Sequence, residues 1–211
     1  TFFAQAFATV LFNVRLGWWF PNPGKVEDGA MSQHFSLTYL GDELFGGASD
    51  RSKFVMVSDG GHFENLAAYE LIRRQCRVIV ISDGECDEKY TFGGLGTLIR
   101  MCEVDFQCHI TIHVDDLRPG TGGGEWSKRR FAVGQIRYKD ESTGILIYVK
   151  ASMTGEEDTS VRQYKSSSPT FPHESTGDQF YREDQFESYR HLGREIGYEV
   201  FGAYTHEPTL T

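Results

Sequence analysis

The sequence has no excess of positive charge. Its 21 Lys and Arg stand against 30 Asp and Glu, a net charge of -9. That balance excludes an electrostatic grip on nucleic acid and charge-driven docking on an anionic membrane. Cysteine is scarce: Cys76, Cys86, Cys102 and Cys108 form no C-x-x-C and pair with no His at zinc-finger spacing. They read as reduced thiols in or near the core, which fits a reducing compartment, and no Asn-x-Ser/Thr sequon argues otherwise. No clean bilayer-spanning run exists. The apolar opening TFFAQAFATVLFNVRLGWWFP is interrupted by Gln5, Asn13 and Arg15. It also lacks the basic region and small-residue cleavage site of a signal peptide. There is no internal repeat and no long linker.

What is present suits a folded domain or a large portion of a bigger one. Hydrophobic residues make up 39% of the 211, with 16 Phe and 10 Tyr pointing to an aromatic-rich core. The first residue is Thr, inside an apolar run, which predicts the C-terminal part of a longer polypeptide. Trp18 and Trp19 beside Pro21 suit either a membrane interface or a packing face.

Residues 21–50 are loop-rich. KFVMVS at 53–58 reads as a short strand. Phe63, Leu66, Ala67 and Leu71 then fall at helical spacing, and VIVI at 78–81 is a second strand without polar interruption. A helix over 95–102 and a strand over 109–114 follow. The stretch 53–114 therefore predicts β-α-β-α-β, an α/β fold with a mainly parallel sheet and helices on both faces. Beyond the Gly-rich loop 115–130, strands at 131–138 and 144–150 flank the turn KDESTG. A last helix runs over 178–196, with Thr176 and Gln179 as its capping box and Phe186, Tyr189, Leu192 and Ile196 as its apolar stripe.

In parallel sheets, functional groups gather beyond the carboxyl ends of strands. Asp59, Asp83, Asp115 and Asp116 each follow a predicted strand, so this topology sends them to one edge. Asp59 opens VSDGGHFEN, and it reads either as the N-cap of the next helix or as a reactive carboxylate. Gly60 and Gly61 allow a tight turn, with positive φ as one route, and close approach of another group. Asn65 lies early in the helix, where its amide can bind a neighbouring loop. His62 and Glu64 read as surface residues of the first turn, or as electrostatic partners of Asp59. The run SDGECDE offers oxygen ligands to a hard cation but lacks EF-hand spacing, so a solvated loop is the simpler reading. GTGGGEWSK lacks the G-K-[ST] ending of a phosphate loop.

Asp-Gly-Gly followed by Asn, after a strand that reads as buried and before a helix, resembles the second signature of patatin-like lipid acyl hydrolases. Asp59, Gly60 and Gly61 match the D-G-[GA] motif, and Asn65 falls where the family's first Asn is expected. Leu66 and Ala67 depart from the second Asn and the Pro. The wording SDGGHFENLAAYELIRRQCRVIVISDGECD also resembles large bacterial patatin-like proteins. So do RLGWWFPNP and FPHESTGDQFYREDQFESYRHLG, so the likeness covers most of the chain.

The resemblance implies a patatin-like Ser–Asp dyad that cleaves lipid esters without a cofactor. Asp59 is the general base, with Gly60, Gly61, His62 and Asn65 shaping its surroundings. The family's nucleophile is a Ser in G-x-S-x-G, which this sequence does not contain. The nearest approach is Gly47-Ala48-Ser49-Asp50-Arg51, and Ser58 beside Asp59 points to the opposite strand face. The expectation is therefore an upstream segment that carries the nucleophile and the oxyanion loop. The compartment implied is cytoplasmic or membrane-associated, with the aromatic N-terminal stretch as a membrane contact. Two other readings stand beside it. One is a metal-dependent hydrolase using Asp59, His62, Asp83 and Asp87. The other is a non-catalytic binding module that keeps the fold.

Overall fold

The structure, a computed structural model, describes residues 17–25, 49, 51–120, 125–175, 177–178 and 180–202. It divides into two compact units, Thr1–Phe63 and Glu64–Thr211. Thr176 and Gln179, the expected capping box, lie outside the described residues, as does most of the aromatic opening.

In the first unit, β1 (Gly17–Pro21) pairs antiparallel with β2 (Phe54–Ser58), in register from Gly17↔Ser58 to Pro21↔Phe54. Both are rich in aromatic or β-branched residues, which fit a pleated surface. Trp19, opposite Met56, is buried. Asn22 prolongs the pairing, donating its backbone N–H to Lys53 O at 2.8 Å and its side-chain amide to Ser52 O at 3.0 Å. The partner of β2 among the described residues is thus an antiparallel strand from the aromatic opening. This corrects the expectation that 53–58 begins a parallel sheet. An apolar run shows that a strand exists but not which neighbour completes its ladder.

The second unit contains a four-stranded sheet in the order β3 (Val78–Asp83), β6 (Thr143–Lys150), β5 (Phe131–Arg137), β4 (His109–Thr111). Only β3 and β6 are parallel; β6–β5 and β5–β4 are antiparallel. The fold is α/β with a mixed sheet, not the mainly parallel one expected. β3 and β4 do run in the same direction, as a crossover through the helix Gly93–Phe106 (α2) requires. The expected hairpin at the C-terminal side is inserted between them. Its turn is fastened by Tyr138 N–H to Ser142 O at 2.9 Å and by Asp140, whose Oδ1 accepts from Ser142 N–H and Oγ–H.

Strand alternation sets the faces. Ile79, Ile81, Ala132, Ile136, Leu146 and Tyr148 point inward against Ile72 of α1 (Tyr69–Arg73) and against Leu95, Leu98 and Cys102 of α2. The other face carries Val78, Val80, Val133 and Ile145, which are 44–59% exposed. Coverage on both faces is therefore only partial. A second core forms where α3 (Thr159–Ser167) meets α4 (Glu183–Phe201), around Val161, Tyr164, Phe171, Leu192 and Ile196, and it reaches Val149 on that outer face.

Two helices differ from their expected positions for local reasons. The helical pattern expected from Phe63 becomes a 3₁₀ turn (Gly60–His62) and the short α1. Ala67 adopts φ 54°, the left-handed region that ends a helix, and Glu64 captures the amides a longer helix would have used. α4 begins at Glu183 rather than near Asp178. Glu183 and Asp184 occupy its first turn, where carboxylates complement the helix dipole. Its buried face runs through Gln185, Ser188, Leu192 and Ile196, leaving Phe186 of the expected stripe 57% exposed.

Candidate functional site

Asp59 stands at the carboxyl end of β2. Its backbone is extended (φ -59°, ψ 134°), and its Oδ1 accepts the Gly61 N–H at 3.1 Å, which makes it the N-cap of the 3₁₀ turn. The carboxylate is exposed. Neither Gly60 nor Gly61 has positive φ, so tight turning by that route is corrected. Among the described residues, a Cβ at Gly60 would meet nothing within 4 Å. Ser58 is exposed on the strand before it. Ser49, the nearest approach to the serine elbow, lies in a turn whose Oγ accepts the Arg51 N–H at 3.1 Å, not in a strand-to-helix elbow.

The other expected site residues belong to the second unit, except His62, whose backbone lies in the 3₁₀ turn. Glu64 binds the start of the following helix. Its carboxylate accepts the N–H groups of Leu66, Ala68 (2.8 Å) and Tyr69 (3.2 Å), and it replaces the cap that Ala68 lacks at the start of α1. Asn65 donates its side-chain amide to Glu85 Oε1 at 2.8 Å, so it does bind a neighbouring loop. Residues 83–86 of that loop and Asn65 line an open cavity of about 480 Å³ beyond the carboxyl end of β3.

The loop is braced from below by a buried polar cluster that sequence reading missed. Asp83 pairs with Lys150 across the parallel strands, Nζ to Oδ2 at 3.0 Å, with both side chains 1% exposed. Tyr148 donates its hydroxyl to the same Asp83 oxygen, and the Glu85 N–H binds Asp83 Oδ1 at 2.8 Å. Lys150 Nζ also donates to Glu85 O at 3.2 Å. Burial, then the bond to Asp83, pushes the Tyr148 phenol far above its ordinary range. His173, buried, holds the far side of the loop. Its Nδ1 accepts the Asp87 N–H at 3.3 Å, and its carbonyl accepts the Cys86 thiol at 2.9 Å. Burial pushes this imidazole below its usual pKa.

The signal for this cluster was parity. Lys150 shares the inward phase of Leu146 and Tyr148, and Asp83 shares that of Ile79 and Ile81. A charge in that phase must find an opposite charge. The same logic finds Arg130, which is buried and reaches Glu157 and Glu199 at 2.8 Å each.

The expected acidic edge is thus only partly assembled. Asp83, Asp115 and Asp116 follow strands of one direction, whereas Asp59 belongs to the other sheet. Asp115 and Asp116 turn to Arg118 (3.9 Å) and Lys128 (3.4 Å). Asp87 accepts Thr91 N–H and Phe92 N–H, both at 2.8 Å, and caps the approach to α2. Burial opposes ionisation of Asp87, but these bonds outweigh it and hold its pKa below the ordinary value. Asp83 and Asp87, two ligands of the metal reading, therefore spend their oxygens on protein donors. Among the described residues no group of three His, Cys, Asp or Glu is placed to hold a metal ion. Among the same residues no helix is long and apolar enough to cross a membrane. No family model, curated protein or solved structure matches this chain.

Proposed function

We propose that the chain supplies the general base of a patatin-like Ser–Asp acyl hydrolase acting on lipid esters. The observation that carries the reading is Asp59: an exposed carboxylate at a strand end, fixed by one amide, with no described atom within 4 Å of where a Cβ at Gly60 would stand. A bond to Gly61 N–H holds one oxygen, and among the described residues no bond is made to the other, the one this reading assigns to the hydroxyl. The D-G-G wording and Asn65 give the family resemblance. The serine comes from outside these 211 residues, because no G-x-S-x-G occurs in them.

In this mechanism the serine Oγ attacks the ester carbonyl while Asp59 takes its proton. The tetrahedral oxyanion rests on backbone N–H groups of the nucleophile's segment. Its collapse breaks the C–O bond to the alcohol, which leaves with the proton held by Asp59. Water then attacks the acyl-enzyme, giving its proton to Asp59, and the fatty acid departs as the proton returns to serine. No cofactor takes part. A lipid-ester substrate goes with work in the cytoplasm or at a membrane surface.

The test is Asp59→Asn in the polypeptide that carries the nucleophile, assayed on a long-chain ester. Asn caps a helical turn as well as Asp does, so the fold is kept while the base is lost. Hydrolysis should fall by about 10²–10⁴-fold, the usual contribution of a general base. Activity equal to the parent's would remove the dyad reading and leave Asp59 a turn cap.

A further inference from the structure

We propose that a cavity beside the last turn of α3 is a binding site for a free aromatic α-amino acid, held as its zwitterion. The site does not draw on Asp59, which belongs to the other unit. The cavity has a volume of about 470 Å³, within the range of small-molecule sites, about 300–1,000 Å³. Tyr90, Trp126 and Phe171 give it aromatic walls, and Glu88, Glu125 and Lys165 give it charge. Glu125 and Trp126 come from GTGGGEWSK, the stretch that lacks a phosphate-loop ending.

The charges of the lining decide the chemistry. Lys165 Nζ donates to Pro169 O and Phe171 O, both at 2.6 Å. An ammonium has three protons. Two are used on these neutral carbonyls, which leaves one proton and the whole positive charge without a direct counter-ion. Burial lowers the Lys165 pKa, and Glu125 raises it only in part. Lys165 and Glu125 thus line one cavity and form no direct ion pair among the described residues. A ligand with a carboxylate and an ammonium on the same carbon matches such an open pair. The two glutamates outnumber the one lysine, so an anion alone is disfavoured and the ligand must also bring positive charge.

His173 points to a ligand independently. It lines the same cavity and is 3% exposed. With Nδ1 accepting the Asp87 N–H, its proton sits on Nε2, which is buried and has no acceptor among the described residues. A buried donor left unpaired costs stability, and the ligand's carboxylate supplies the acceptor. The ring of the ligand has a wall prepared for it. A Cβ at Gly155, where φ is 85°, would stand 2.8 Å from Trp126 Cδ1, so the indole is fixed closely against a backbone that only glycine supplies without strain. An indole held in place packs on a second aromatic ring at little further cost in freedom.

The experiment is isothermal titration calorimetry of the chain with L-phenylalanine. Three fragments are titrated beside it: phenylacetate lacks the ammonium, phenethylamine lacks the carboxylate, and L-alanine lacks the ring. L-Phenylalanine should bind saturably, and each fragment at least about tenfold more weakly, because each loses a charged hydrogen bond or the ring contact. Glu125→Gln should weaken L-phenylalanine by about tenfold or more and leave phenylacetate no weaker. Glu125 is exposed, so this variant should keep the parent's circular dichroism and melting temperature. Lys165→Met should weaken L-phenylalanine and phenylacetate alike. Lys165 also ties down the turn at 169–171, so Glu125→Gln decides if Lys165→Met melts early. No saturable binding of L-phenylalanine by the parent up to about 10 mM overturns the proposal. So does any fragment that binds as tightly as L-phenylalanine, or a Glu125→Gln variant that binds as the parent does.

Discussion

Replacing Lys150 with Met tests the buried cluster most directly. At 3.0 Å and with an effective dielectric near 20, attraction between Lys150 and Asp83 amounts to roughly 5.5 kcal/mol, much of it offset by desolvation of both ions. Methionine has nearly the shape of lysine without its charge, so the variant opens little space. It leaves Asp83 without its cation at 1% exposure, with only the Tyr148 hydroxyl and the Glu85 N–H to hold it. Breaking one partner of a buried pair costs about 3–5 kcal/mol. For a chain of this size each kcal/mol moves the melting point by about 2–4 °C, so a fall of about 6–20 °C is expected. Removing both charges, as Asp83→Leu/Lys150→Met, should return most of the loss, because a well-packed apolar pair is often neutral or better. Urea denaturation of the parent, both single variants and the double variant gives the coupling energy. A cost below about 1 kcal/mol for Lys150→Met would refute the reasoning, since the pair would then be solvated like a surface ion pair.

Further outcomes follow from other sites. Burial opposes ionisation of Glu157, but Arg130 and nearby N–H groups outweigh it and hold its pKa below 4.5. Its contribution is present above the ordinary carboxylate range and is lost as pH falls through the depressed value. The urea midpoint should therefore drop on acidification below about pH 4.5, and Glu157→Gln should flatten that region of the profile. Burial pushes the Cys102 thiol to about 12 and raises that of Cys108. Iodoacetamide at pH 8 should therefore label exposed Cys86 and partly exposed Cys76 in the folded chain, and the other two only after unfolding, as read by mass spectrometry. Glu64→Ala should cost about 1 kcal/mol by removing the amide acceptor at the start of α1, measurable as a lowered urea midpoint.

Much of the second sheet was legible because its strands alternate cleanly or run continuously apolar. The hairpin 131–137 and 143–150 emerges within a residue of its expected ends, since KDESTG supplies turn chemistry and FAVGQIR and TGILIYVK supply the phase. Sheet order was not legible. Nothing in VIVISD distinguishes a neighbour at 131–150 from one at 54–58, because strand pairing over long separations leaves no local mark. The short helix at Tyr69–Arg73 was hidden for the opposite reason. Glu64 and Ala67 act within five residues, but through a side-chain bond and a left-handed φ that periodicity cannot register. At the candidate site, Asp59 and Asn65 were readable from wording, whereas Lys150, Tyr148 and His173 meet only after the chain has folded.

The insertion of a hairpin between β3 and β4 also orders assembly in time. Arg137 and Thr143 face each other across a six-residue separation, whereas Val78 and Ile145 are 67 positions apart. By the logarithmic growth of loop entropy, the longer closure costs about 2 kcal/mol more. The β5–β6 ribbon therefore forms early, on the microsecond scale of hairpins. β3 then docks onto a template that already presents Lys150. The acid of that strand gains its counter-ion only at this late step, so the ion pair contributes to holding the finished sheet rather than to starting it.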